Sequence, residues 1–452
     1  MSSTETKVLN YAIIGTGAMG LEHIRNLKLI ANTKVVAIAD GDARAREEAS
    51  ELLEAGTFAC LSNWEDLLLL DNVDAVIVAT PNYTHVDLLR KLIPWKKAHL
   101  YVEKPMCTTM ADCLEVQRLV EEHMPLGSGR IYWVGMEYRY MPPIAKMLGV
   151  IDSGALGQLR MVHIREHRFP FLLKVADWNR FAVFTGGTLV EKCCHFWDLM
   201  RRIIGPGAKA VSVYASGAMD VNHVDERYDR AAGTLTDSRQ PDIVDNAFAV
   251  VNFEGGIRGC LDLCMFAEDR QHEEVSVVGS KGKVHAEAPA CVVTHHTPTQ
   301  RASGANASNP RIPPLPGQYE ENTTVEATPV DESLLEAGFH EGATFFSLSA
   351  FAEAVQDGKP PAVDVADGLA AVAMGVAAEL SIKENRLVML DEVMDGLVSV
   401  YPDPEGASSA SSSSSSGSSA KKASSSSGGD DDTGASSEKR RKLGGGASWS
   451  TA

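Results

Sequence analysis

Two periods of apolar spacing take turns along the first 135 residues. Short apolar runs with strand character fall at 8–14, 34–40, 58–60, 74–79, 98–102 and 131–134, and helical patterns begin between them near Met19, Ala43, Asn63, Tyr83 and Thr109. Strands alternating with helices predict a doubly wound parallel sheet covered on both faces. From Met141 the grammar changes. A helix is expected near 142–153, then a strand in LRMVHIREHRF, then long strand candidates at 208–215, 243–253, 257–266, 272–279 and 282–286 with no crossover helices between them. That run predicts an α+β second domain built on a large, mostly antiparallel sheet. The Pro-, Thr-, Ser- and Asn-rich stretch 287–335 reads as a long surface loop, and helical patterns at 341–357 and 365–385 are expected to pack back on a sheet. Beyond Glu405 the chain is Ser, Gly and Ala with isolated charge clusters, too poor in apolar residues to offset the entropy of ordering. The predicted division is therefore 1–140, 141–400 and a disordered tail, 401–452, in which EKRRK reads as a solvated charge run, with a nuclear-targeting patch as the alternative.

Composition narrows the function classes. The 452 residues contain no apolar run near 18 long, which argues against a membrane span. A formal charge of −18 disfavours nucleic acid or an anionic membrane surface as partner. The opening MSSTETKVLN lacks an apolar signal core, so the expected compartment is the cytoplasm. Eight scattered cysteines with no C-x-x-C pair predict neither a zinc site nor a disulfide framework.

Ligands of a parallel sheet lie beyond the carboxyl ends of its strands, so the residues that follow each strand carry the chemistry. After the first comes Gly15-Thr16-Gly17-Ala18-Met19-Gly20, a G-x-G-x-x-G turn between strand and helix. Gly15 permits the turn, Gly17 lets backbone N–H groups approach a pyrophosphate, Gly20 lets the helix pack close, and the helix N-terminus attracts the phosphates. The second strand ends in Asp40, 20 residues after Gly20, where a carboxylate binds ribose hydroxyls and repels a 2′-phosphate. The pair predicts NAD; Arg44 and Arg46 leave NADP open. After the fourth strand, Thr80-Pro81-Asn82 opens a helix beside the expected cofactor, or is a plain turn and N-cap. After the fifth comes Glu103-Lys104-Pro105, with Lys104 at the ligand edge of the sheet, or simply a surface lysine at a strand end.

The segment GGTLVEKCCHFWDLMRRIIG predicts one helix with an apolar stripe at 189, 193, 196, 200 and 203 and a polar stripe of Glu191, His195, Asp198 and Arg202. By itself the polar stripe is a solvated face. Beside a dinucleotide site it acquires a use. Hydride transfer from a secondary alcohol needs a base for the hydroxyl proton and a cation on the same oxygen; His195 suits the first task and Lys104 the second. Two readings of Glu191 stand: a carboxylate that orients His195, or the last member of a capping box with Thr188, turned back to the Thr188 N–H.

Taken together, these segments resemble the Gfo/Idh/MocA oxidoreductases. The resemblance runs from residue 7 to 395 through GTGAMG, AD at 39–40, ATPNYTH, EKP, GMEYRYMP, WNR, GGTLVEKCCH, VVGSKGKV and GKPPAVDVADGLAAVAMG. It implies a Rossmann domain followed by a large open antiparallel sheet that joins homodimers or homotetramers. It implies Lys104 beside the nicotinamide and His195 as acid/base; the family commonly has Asp where this chain has Glu191. It further implies Tyr138, Trp178 and Arg180 near the substrate, and Thr80, Pro81, Asn82, His85 and Glu103 along the cofactor. The expected activity is oxidation of a secondary hydroxyl of a sugar, inositol or similar polyol. A redox-neutral reaction with tightly bound NAD and a non-catalytic dinucleotide-binding regulator remain as alternatives.

Overall fold

The structure is a computed structural model that describes residues 7–95, 97–172, 174–222, 241–297 and 322–401. The Ser-rich tail with its basic cluster and the middle of the 287–335 stretch lie outside the described residues.

The first unit forms around β1 (Leu9–Ile14), whose Tyr11–Ile14 run is almost wholly buried, as a strand flanked by neighbours and covered by helices requires. There follow α1 (Ala18–Leu29), β2 (Thr33–Ala39), α2 (Ala43–Glu51), β3 (Ala59–Leu61), β4 (Ala75–Val78), α3 (His85–Leu92), β5 (His99–Glu103), α4 (Met110–His123) and β6 (Tyr132–Gly135). The strands are all parallel, in the order β3-β2-β1-β4-β5-β6. The chain reverses direction across the sheet between β1 and β4, the switch point at which a dinucleotide-binding crevice opens. Local chemistry explains why several helix starts are legible: Asp42 accepts the Arg44 N–H and Thr109 the Asp112 N–H, each satisfying an otherwise unpaired donor. The helix expected near Asn63 is a 3-10 segment, Trp64–Leu69, capped by Asn63.

The second unit opens with α5 (Pro142–Asp152) and β7 (Leu159–His167). Three helices follow, α6 (Ala182–Thr185), α7 (Thr188–Glu191) and α8 (Cys194–Ile204). Then come β8 (Ala210–Ala218), β9 (Asn246–Phe253), β10 (Arg258–Cys264), β11 (His272–Gly279), β12 (Lys283–Ala288), β13 (Val292–His296) and β14 (Thr323–Ala327). Finally α9 (Glu332–Ala337), α10 (Ala343–Asp357), α11 (Val365–Glu384) and the two-residue β15 (Val388–Met389) close the unit. Among the described residues the sheet has the order β14-β13-β12-β11-β7-β10-β9-β8-β15. Only β7 and β10 pair in parallel; the other pairs are antiparallel.

Two expectations are corrected. The 287–335 stretch is not simply loop: β12 runs to Ala288, β13 and β14 add an antiparallel hairpin edge, and α9 follows. Its polar composition masked these strands, which lie at the sheet edge and bury little side-chain surface. The single helix expected over 188–204 is two. The Lys192 and Cys193 N–H groups both return to the Thr188 carbonyl at 2.9 and 3.3 Å, and the ladder restarts with Phe196 and Trp197 donating to Cys193 O at 2.9 and 3.0 Å.

The two sheets are joined by buried helices. Contrary to the expectation that no apolar run nears membrane-spanning length, α11 is long and apolar enough to cross one; its apolar side chains are instead packed against α4 and β6 of the first unit and β8, α7 and α8 of the second. α10 lies against α1 and the 137–140 turn that follows β6. These contacts bring α7 and α8 to the carboxyl edge of the parallel sheet.

Candidate active site

At the switch point the glycines separate by what surrounds them. A Cβ on Gly15, whose φ is +90°, would lie 2.6 Å from Ala79 O, and one on Gly20 would lie 2.1 Å from Gly15 O. A Cβ on Gly17 would meet nothing within 4 Å, so the fold itself makes no demand for glycine there. The open space, at the N-cap of a helix with no side-chain cap and no acidic residue in its first turn, fits a pyrophosphate. Asp40 stands beside this turn: its Oδ2 accepts from the Thr16 N–H at 2.8 Å and the Thr16 hydroxyl at 3.2 Å, and its Oδ1 from the Asp42 N–H at 2.8 Å. Arg46 donates to the Asp40 carbonyl at 2.7 Å. The residues thus fit NAD, held by the 15–20 turn and Asp40; when bound it would supply a hydride acceptor.

Of the remaining residues expected along the cofactor, two are turned inward. His85 is fully buried, with Nδ1 3.0 Å from Pro105 O and Nε2 3.0 Å from Thr80 O, so it ties the loop after β4 to the loop after β5. The Glu103 carboxylate faces His23 Nε2 at 2.7 Å and accepts the Lys104 N–H at 3.2 Å. Burial raises this carboxyl, but His23 and Lys104 more than offset it. Thr80 and Pro81 are partly exposed at the strand end, with Asn82 buried behind them.

Lys104 reaches across to α7. Its Nζ donates to the Glu191 carbonyl at 3.3 Å and lies 3.8 Å from Glu191 Oε1. Lys174 Nζ lies at the same distance from that oxygen and 4.8 Å over the Trp178 ring. Burial alone would raise the Glu191 carboxyl; Lys104, Lys174, Lys192 and Arg168 instead hold it at about 2. Against burial, Glu191 and its neighbours keep the Lys104 ammonium above its ordinary value. The capping box is not formed: Gly187 is the N-cap, and the Thr188 hydroxyl donates to Val244 O at 2.6 Å. Gly187 holds φ +96°, and a Cβ there would sit 2.2 Å from Glu379 Oε1, the oxygen that accepts the Leu189 N–H at 2.8 Å. That bond fixes the turn that presents Glu191.

His195, on the first turn of α8, is 1% exposed and stacked on Tyr138, with ring centroids 4.1 Å apart and planes 9° apart. Burial, with Lys104 and Lys192 adding to it, drives its pKa well below the ordinary imidazole value, so the ring is neutral and available as a base. The rest of the predicted polar stripe diverges. Asp198 is an ion-pair partner of Arg139, with a 2.6 Å bond from Nε, and Arg202 pairs with Asp152 at the surface. Trp178 packs edge-on to Tyr83 at 6.3 Å. The buried Arg180 donates to Phe171 O of its own loop.

Several further groups line the site that the sequence did not single out. Lys192, 3% exposed, donates to the Tyr138 hydroxyl at 2.6 Å and lies 3.0 Å from Glu166 Oε1. Arg168 NH1 approaches the same carboxylate at 3.3 Å. The Tyr138 hydroxyl donates to Glu273 Oε1 at 3.2 Å, and Gln271 donates to both. Burial and Glu166 push the Glu273 carboxyl up to about 8. The one sequence signal was period: Glu166 and Glu273 occupy inward positions of β7 and β11, directly paired across the sheet, where an apolar residue is the rule.

A switch-point dinucleotide crevice with a lysine, a carboxylate and a neutral buried imidazole at its open end defines a pyridine-nucleotide oxidoreductase. Comparison with known proteins agrees. Residues 9–133 match the model of the oxidoreductase family's NAD-binding Rossmann fold, and 149–390 match that of its C-terminal alpha/beta domain. The chain belongs to the Gfo/Idh/MocA oxidoreductase family. It is 27% identical over 389 residues to the myo-inositol 2-dehydrogenase of Thermotoga maritima, covering 85% of this chain and all of that one. It is 25% identical over 388 residues to the scyllo-inositol 2-dehydrogenase (NAD(+)) of Bacillus subtilis, covering 84% and 96%. The solved structure of an oxidoreductase domain protein from Kribbella flavida shares the fold, with a TM-score of 0.69 at 19% identity over 85% of this chain and 99% of that one.

Proposed function

We propose that the chain is an NAD-dependent dehydrogenase that oxidises a secondary hydroxyl of an inositol, a related polyol or a sugar, in a cleft between residues 1–140 and 141–400. The observation that carries this reading is the convergence of Lys104, Glu191 and His195 from β5, α7 and α8 at the open end of a dinucleotide crevice. In it Lys104 holds the reacting oxygen, His195 takes its proton, and Glu191 keeps Lys104 charged and in place. Tyr138 orients the His195 ring by stacking, and Trp178 with Lys174 borders the mouth. The inositol dehydrogenases named above support the substrate class. The assay is absorbance of NADH over a panel of cyclic and open-chain polyols, with NADP in parallel. Wild type is expected to turn over with at least one cyclic polyol, and Lys104→Ala and His195→Ala each to lose about a hundredfold or more in kcat. Undiminished turnover in both variants would sink the assignment.

The outer face of the large sheet supports a homo-oligomer. Tyr214 pairs with Val250 across β8 and β9, with Phe248 two residues along, and these side chains are 42, 41 and 63% exposed. A second copy covering this face is the reading taken here, and light scattering at the column outlet tests it. A cytoplasmic location is part of the same proposal, in keeping with the buried free thiols of Cys107, Cys113, Cys193 and Cys194.

A further inference from the structure

Oxidation of an alcohol releases a proton as well as a hydride, and the proton that His195 takes from the hydroxyl arrives on a buried ring. The contacts of that ring lead outward. His195 Nε2 lies 3.6 Å from Glu137 Oε1. The same oxygen lies 3.7 Å from Nδ1 of His340. One carboxyl oxygen thus stands between two imidazoles that come from α8 and from the turn before α10. Side-chain exposure rises along the row, from 1% at His195 to 4% at Glu137 and 18% at His340. His340 and Glu341 hold φ values of +62° and +54°, two successive non-glycine residues in the left-handed region. Such a conformation persists only where the surrounding structure imposes it, and here it accompanies the placement of the His340 ring against Glu137 and Tyr138.

We propose that Glu137 and His340 form a proton relay carrying to solvent the proton that His195 takes from the substrate hydroxyl. The proposal rests on the dehydrogenase reading above. Nδ1 of His195, which has no hydrogen-bond partner among the described residues, receives the proton as the O–H bond breaks and the carbonyl forms. Glu137, protonated at rest, passes its proton to His340 Nδ1 and takes another from His195 Nε2, and His340 releases one from its other nitrogen to water. One proton enters and one leaves at each station, and no oxidant beyond NAD is required.

The charges around the row suit this. Burial and Glu103 push the Glu137 carboxyl up to about 8 against the pull of Lys104, with Glu22 adding repulsion. Burial holds both imidazoles well below their ordinary value, helped at each by Lys104, Lys192 and Arg168 and at His195 by His340. Near neutral pH the proton therefore rests on Glu137, between two neutral rings.

The test compares wild type, Glu137→Gln and His340→Ala for NADH formation from cyclic polyols, myo-inositol first, in H2O and D2O and at rising imidazole concentration. Infrared difference spectra across neutral pH follow the carboxylic-acid band of Glu137, and melting curves check folding. Both variants are expected to lose about tenfold or more in kcat at low buffer with little change in KM, and imidazole to restore His340→Ala in proportion to its concentration. The band should be present in wild type near neutral pH, vanish as the pH rises, and be missing from Glu137→Gln. Wild-type kcat and an unchanged solvent isotope effect in both variants would overturn the relay. So would a loss that imidazole does not relieve and that comes with a raised KM, the mark of positioning alone. If wild type forms no NADH, the dehydrogenase reading falls; the infrared titration still stands, and absence of the protonated band overturns the relay by itself.

Discussion

Replacing Glu191 by glutamine removes a carboxylate whose Oε1 lies 3.8 Å from both Lys104 Nζ and Lys174 Nζ. Its carboxyl is held at about 2 against an ordinary 4.5. At about 1.4 kcal/mol per unit, that depression is worth about 3 kcal/mol of stability to the folded, ionised state. The sign follows from the direction. A folded-state pKa below the unfolded one means the contribution is complete above 4.5 and disappears as the pH falls toward 2. Glu191→Gln has no carboxyl to titrate in that window. Near neutral pH the variant is therefore expected to be less stable than wild type by about 3 kcal/mol, with the gap narrowing as acid is added below the ordinary carboxyl value. Urea denaturation followed by tryptophan fluorescence at a series of pH values measures both. Burial lowers the Lys104 ammonium and Glu191 raises it, so the alkaline limb of kcat should also move to lower pH in the variant. Equal stability at neutral pH, or a gap that stays constant through the acid window, would refute the reasoning.

Further outcomes follow from individual contacts. Gly17→Ala should melt like wild type, since its Cβ meets open space, yet bind NADH far more weakly by fluorescence titration; Gly20→Ala should lose stability as well, because its Cβ would lie 2.1 Å from Gly15 O. Equal melting of the two variants contradicts the assignment of their roles. Asp198→Ala strips Arg139 of its main partner while Asp367 stays at 3.1 Å. The melting temperature should drop by an amount equivalent to about 3 kcal/mol with KM intact, and a specific loss of kcat without destabilisation would show that Asp198 belongs to the chemistry.

Much of the first unit was legible because its signals are local. The strands β1 to β6 are short apolar runs bounded by turn residues, and the helix starts at Ala43 and Met110 follow side chains that cap them within three residues. The reading of 186–205 shows where this stops. Its periodicity fits a continuous helix, and Thr188-x-x-Glu191 fits a capping box, but α7 is held by Glu379, 190 residues away, and the Thr188 hydroxyl is taken by Val244. Long-range partners outbid the local ones because they satisfy buried polar groups that would otherwise be left unpaired. The same cause hid Lys192, Glu137 and His340. Lys192 and Glu137 sit inside the GGTLVEKCCH and GMEYRYMP segments and His340 inside none, but the role of each is given only by what the fold sets opposite.

The sequence by itself determined the parallel sheet, the glycine turn with Asp40 at its switch point, the antiparallel sheet that follows, and Lys104 and His195 as the residues to examine. Each depends on a period, a turn or a spacing within one element, where neighbours along the chain are neighbours in space. Tertiary structure alone decided that Glu191 faces two lysines, that Asp198 is an ion-pair partner of Arg139, and that Glu137 lies between two imidazoles. Apart from Lys174 with Glu191, those pairings join residues from different elements far apart in the chain. Their charge states depend on burial and on the combined field of neighbours from several elements, and no stretch of sequence contains that field.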